Sequence, residues 1–264
     1  MNKTRKNTNE YGVILIELLI VVMILGLLVA GAVKTWDTVI SQTRFTKTSQ
    51  EMQELVDAIV GNAELYSDGR RTDFGYVGDM GVIPESLGNL VHKPSDASDT
   101  CWRGPYIKSK FAENPDDYLQ DAWGNNYIYN KESLFIRSYT SVNNLTPQTW
   151  IAKSITKSSN SLLRNMINGY IKDLTGNPPG YQNQFIRVYI TYPLNGNMWT
   201  PMGFIPNEDG FYIIPDVPQG NHRMVCIFDT TFLNPNDTTD YSEKYACVYP
   251  GILNTVDFKL TVKF

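Results

Sequence analysis

The sequence predicts an α+β chain with one long N-terminal spine helix, a small sheet-bearing head and an all-β sandwich of seven strands. Three observations predict it. Residues 13–33 form a 21-residue apolar run with one charge, Glu17. After it, Trp36, Val39 and Ile40, then Met52, Leu55, Val56, Ile59 and Val60, keep three–four spacing with no proline between residues 1 and 81. Residues 165–264 alternate in short segments separated by turn signals.

The apolar run comes first. As a helix it is about 32 Å long, enough to cross a bilayer core. A short polar leader with Lys3, Arg5 and Lys6 precedes it. A cleaved secretory signal fits poorly, because its apolar core is shorter and ends in a small-residue cleavage pattern. A plain membrane anchor is the stronger alternative. Glu17 weighs against it, since a carboxylate in an apolar span costs on the order of 2.5–3.5 kcal/mol and calls for a partner. The basic residues do not set orientation: Lys3, Arg5 and Lys6 lie on one side, Lys34, Arg44 and Lys47 on the other. Carried on by the three–four stripe, a helix from Ile14 to Tyr66 would be about 80 Å long.

Composition removes several functions. The 264 residues carry 23 basic and 27 acidic side chains, a net charge of −4, so a polyanion binder acting through bulk charge is excluded. With 42% hydrophobic and 12% aromatic residues the chain can bury a core. The two histidines, His92 and His222, are too far apart in sequence for a helical zinc motif. Three cysteines are too few for a disulfide scaffold or a four-cysteine zinc site. No phosphate-binding loop and no nucleophile elbow occurs. No cofactor or metal is expected, and the acidic residues Asp96, Asp99, Asp116 and Asp117 read as an exposed loop rather than an ion site.

The string from Gly12 through Val13 and Glu17 to Val22 resembles the N-terminal signature of type IV pilins and type II secretion pseudopilins. The resemblance implies a leader of residues 1–12, cut by prepilin peptidase between Gly12 and Val13. It also implies N-methylation of Val13 and a role for Glu17 in subunit assembly. Tyr11 and Val13 stand where the family usually has a basic residue and Phe or Met. Physically, cleavage creates an ammonium at Val13, and Glu17 of one subunit can neutralise the amine of its neighbour when the helices bundle. The implied partners are other pilin or pseudopilin subunits, the peptidase, an inner-membrane assembly platform, and lipid before assembly.

Four further pieces resemble the major pseudopilin head: Gly78-Asp79-Met80-Gly81-Val82-Ile83-Pro84, Leu87-Gly88-Asn89-Leu90, Trp102-Arg103-Gly104-Pro105-Tyr106, and Asp121 through Tyr129. The head is drawn at 67–144, after a spine at 13–66. Within it, Tyr127-Ile128-Tyr129 and Leu134-Phe135-Ile136 read as two strands, and Trp102 and Trp123 as core plugs rather than ligand contacts. The family's calcium loop corresponds to residues 138–144, which hold no carboxylate, so that site does not carry over. Residues 145–164 read as a linker.

Seven strands are drawn in the last module, at 166–172, 185–191, 198–204, 210–214, 223–228, 244–249 and 255–262. Their order resembles the carboxypeptidase regulatory-like, transthyretin-like module, which implies a stalk or binding surface and no peptidase activity. Six basic and nine acidic residues give this module a net charge of −3, which disfavours polyanions. Cys226 and Cys247 both fall in its strands and are a candidate disulfide if the head is exported.

The leading expectation is a structural filament subunit, specialised or minor, anchored by one inner-membrane span with its head in the periplasm. The alternative is a monomeric anchored module that displays the sandwich without polymerising. An enzyme is the third class; neither histidine lies in a catalytic context.

Overall fold

The computed structural model describes residues 9–107, 116–140, 150–230 and 240–264. It has the α+β architecture, with one long apolar helix followed by a mostly β region. Most of the leader, residues 1–8, lies outside the described residues.

Helix α1 runs Asn9–Val60, 52 residues or about 78 Å. It stops at Val60 rather than Tyr66 because Gly61 takes a left-handed conformation (φ 83°) and donates to the Asp57 carbonyl at 2.7 Å. Only glycine fits there, since a Cβ would lie 2.4 Å from the Asp73 carbonyl oxygen. The chain divides into two compact units, residues 1–48 and 49–264. In the first, the described apolar side chains of residues 15–29 all face solvent. In the second, Met52, Leu55, Val56 and Ile59 of the predicted stripe are buried in the head core, Val60 packs half-buried against it, and Ala58 joins them.

A hairpin follows, β1 (Tyr66–Ser67) and β2 (Arg70–Arg71), turned at Asp68-Gly69 with both φ values positive. Helix α2 (Gly75–Met80) contributes Tyr76, Val77 and Met80 to the same buried core as the α1 stripe. A 3-10 turn over Leu87–Leu90 is closed by a reciprocal Ser86–Asn89 capping box. The head sheet has three antiparallel strands, β3 (Ile128–Asn130), β4 (Phe135–Ser138) and β5 (Ile151–Ser154). The first two lie where the sequence puts them. The third lies in the stretch expected to be a linker, as does the short helix α3 (Ser159–Leu163), capped by the Ser158 hydroxyl.

Eight strands follow: β6 (Asn165–Asp173), β7 (Ile186–Leu194), β8 (Asn197–Trp199), β9 (Phe211–Val217), β10 (Gly220–Phe228), β11 (Asp240–Val248), β12 (Leu253–Thr255) and β13 (Phe258–Leu260). One sheet has the order β11-β10-β7-β8. In the other, β6 pairs antiparallel with β9 on one edge and parallel with β12 and β13 on the other. The seventh drawn segment is thus two short strands, broken at Val256-Asp257. Alternation holds along β6, β7 and β10, whose inward residues share one core with Tyr212, Ile214, Val248 and Phe258. Asp173 pins the module's last residue: its carboxylate accepts from the backbone N–H groups of Thr175, Asn177 and Phe264.

Head and sandwich are one compact body. The Gln219 side-chain amide donates to the carbonyls of Val60 (2.9 Å) and Phe74 (3.0 Å), and its backbone N–H to Leu162 (2.8 Å). Arg71 is buried and donates to the Val60, Gly61 and Asp73 carbonyls. Its own backbone meets the Tyr249 hydroxyl and the Asn221 amide. Gly81 (φ 63°) lies so close that a Cβ would sit 1.9 Å from the Pro193 carbonyl oxygen.

Two outcomes follow from this packing. In calorimetry, residues 49–264 should unfold in a single transition, and Gln219→Ala should lower stability by about 1–3 kcal/mol, because two buried carbonyls each lose one of their two donors, Arg71 and the Gly78 N–H remaining. Two resolved transitions would refute the common core. The second concerns His222, which is buried with Nε2 2.7 Å from the Pro218 carbonyl. Burial pulls its pKa down to about 4, against that hydrogen bond, from 6.5. The fold therefore prefers the neutral ring. Its contribution is complete above pH 6.5 and is lost as pH falls towards 4, by at most about 3 kcal/mol. Asp79, raised to about 6 by burial, titrates in the opposite sense. The readout is therefore the difference between the chain and His222→Asn in urea unfolding at pH 7 and pH 4.5, where the variant should lose less stability.

Candidate functional site

The residues singled out by the N-terminal pattern lie on α1. The Gly12–Val13 bond falls in helical backbone, and Glu17 follows one turn later. Glu17 is exposed, and its neighbours one turn on, Ile20 and Val21, are apolar and exposed too. Leu15, Ile16, Leu18 and Leu19 surround it in sequence, each at least 59% exposed. The nearest basic residue further along the helix is Lys34, about 25 Å away. The helix therefore offers the carboxylate no cation within a turn on that side. By length and composition α1 is able to cross a membrane. An apolar all-round helix with one carboxylate has two chemical uses: partition into lipid, and pairing with a cation brought by the chain's own cut terminus or by a neighbour.

The head motifs also find their places. Trp102 and Trp123 pack half-buried on the head core, and the Trp102 indole N–H points to the Asn89 carbonyl at 3.4 Å. Asp121 organises the loop into β3. Its buried carboxylate accepts from the backbone N–H groups of Trp123 and Asn125 and from the Ser138 hydroxyl. Asp99 pairs with Lys93, and no group of three or more metal-ligating side chains occurs among the described residues. Residues 141–144 of the stretch matching the calcium loop lie outside the described residues. His92 sits in an exposed turn and His222 in the interior.

The candidate disulfide is corrected. Cys226 pairs in register with Ser242 and faces the core, whereas Cys247 pairs with Asn221 on the opposite face of the same two strands. Both thiols are free. Five register positions and a sheet's thickness separate them, far beyond the Cα spacing a bridge allows. Sequence placed both in strands but gave no register, and register decides the face.

Spacing along the chain also missed a polar cluster. Two of the recognised motifs meet in space: the Tyr106 hydroxyl lies 3.1 Å from Asp79 Oδ2, and the Arg103 Nε 3.7 Å from Oδ1. Burial raises the Asp79 pKa to about 6, opposed by Arg103 and by the Tyr106 hydrogen bond. Both motifs stand in the sequence, and only the fold brings them together.

No curated protein sequence matches the chain. Residues 74–140, which hold α2, the Trp102 motif, Asp121 and the β3–β4 hairpin, match the family model described as Type II secretion system (T2SS), protein G, so the head that follows α1 is pseudopilin-like.

Proposed function

We propose that the chain is a structural subunit, specialised or minor, of a type II secretion pseudopilus or type IV pilus. It is made in the bacterial inner membrane with the head in the periplasm. Prepilin peptidase cuts between Gly12 and Val13, Val13 is N-methylated, and an assembly platform draws the subunit into a filament through α1. One observation carries this reading: a protein-G-like head follows an exposed apolar helix whose apolar half holds a single carboxylate, Glu17. Thirteen large apolar side chains between Leu15 and Val29 are exposed. Each gains about 1.5–3 kcal/mol on burial, whether in lipid or against neighbouring helices. That gain does not favour one register over another, whereas a Glu17 carboxylate matched to a neighbour's Val13 amine does. In this reading the sandwich, with its resemblance to carboxypeptidase regulatory-like modules, is the outward-facing part.

Intact mass of the protein from native membranes should give a chain that begins at methylated Val13. A chain beginning at Met1, in a host with an active peptidase, would overturn the reading. Glu17→Ala should leave the membrane-bound protein at its normal level while the filament fraction recovered by shearing and sedimentation falls at least about tenfold. Unchanged complex size would point to the monomeric anchored module instead.

A further inference from the structure

A cleft of about 280 Å³ opens where α2 and the Trp102 motif meet the outer face of the β11-β10-β7-β8 sheet. Asp79 and Arg103 line it from the head. Asn221, Arg223, Tyr245 and Met198 line it from the sandwich. The assembly role uses none of these groups.

Their hydrogen bonds are unevenly used. The Asp79 side chain is 24% exposed, and among the described residues its Oδ1 has only Arg103 near it, at 3.7 Å, beyond hydrogen-bond reach. The Arg103 side chain is 73% exposed and donates no side-chain hydrogen bond among the described residues. Asn221 lines the cleft and spends its amide nitrogen on the Arg71 carbonyl, and its side-chain oxygen accepts no hydrogen bond among the described residues. Arg223, by contrast, is held by Glu243 through two hydrogen bonds of 2.9 and 2.7 Å. Tyr245 pairs with Arg223 across the strands and is 57% exposed, so its ring forms an open wall. Tyr241, four residues back on the same strand face and 65% exposed, lies about 13 Å from it.

This chemistry selects among ligands. An anion meets Asp79 while one of the two arginines is already neutralised. A cation meets Arg103. An apolar ligand strands the free acceptor of Asp79 and the free donors of Arg103 away from water. A neutral polyhydroxylated ring gives hydroxyl donors to the carboxylate and acceptors to the guanidinium. Its C–H face suits the electron-rich face of a tyrosine.

We propose that this cleft is a glycan-binding site, in which Tyr245 stacks on a sugar ring, Asp79, Arg103 and Asn221 hydrogen-bond its hydroxyls, and Tyr241 supports a second ring further along the sheet. The proposal stands apart from the assembly reading, since it involves neither α1 nor processing.

The test uses the full chain in a zwitterionic detergent, because glycoside detergents would compete. Cellohexaose, chitohexaose and maltohexaose are titrated by calorimetry. At least one should bind. Tyr245→Ala and Arg103→Ala, both at exposed side chains, should each weaken it by about tenfold or more while circular dichroism stays unchanged. Tyr170→Ala, on the outer face of the other sheet, should leave it unchanged. The proposal fails if none of the three sugars binds at millimolar concentration, or if binding survives both cleft variants. It also fails if a hexalysine peptide, and no sugar, binds in a Tyr245-dependent way, which would assign the cleft to a protein partner.

Discussion

The globular part of this molecule depends on how the last turn of α1 is closed. A helix leaves its final carbonyls without partners, and here they end inside a protein core rather than in water. Arg71 takes the carbonyls of Val60 and Gly61, and Gln219 shares that of Val60. The first comes from the hairpin after the helix and the second from the turn between β9 and β10. The end of the helix thus needs both a cation from the head and an amide from the sandwich. The Gly61 turn, Arg71 burial, and the contacts of Asn221 and Tyr249 with the Arg71 backbone all follow from that closure. A cation at a helix C-terminus is also favoured by the helix dipole.

The same chain applies two opposite solvent rules. Along residues 15–29 apolar side chains face outward in every direction, which in water is a liability and in lipid or a helix bundle is the source of stability. From Met52 onward the apolar positions narrow to one stripe and the rest of the helix turns polar. That change in pattern marks where the environment must change. Glu17 is the one polar group set against the first rule, and an unpaired carboxylate there is stable only with a counter-charge supplied from outside its own helical turn.

How much of this was legible in the sequence depends on whether the signal was local. The α1 stripe at Met52, Leu55, Val56 and Ile59, the β3–β4 hairpin, and most strands of the sandwich are readable because periodicity and turn residues are local, whereas the segment drawn at 198–204 is a strand only in Asn197–Trp199. The end of α1 is not legible locally, because Gly61 acts through the Asp73 carbonyl, twelve positions on. Strand β5 is not either, because Ile151 to Ser154 shows little alternation and is held by its neighbour β4. The cysteine pair failed on register, which depends on which strands neighbour each other. The Asp79–Arg103–Tyr106 cluster was in view as two motifs, but nothing local says that they touch.

The joint also bears on what the sandwich can do. An appended module on a flexible linker would carry its binding surface independently of the head. Here the Gly81–Pro193 approach and the bonds from Gly196 to Met80 and from Ser98 to Gly196 tie the β7–β8 turn to the head on both sides. A cleft with walls from two elements fixed in this way is preformed, so a ligand bound there loses little free energy in ordering the protein.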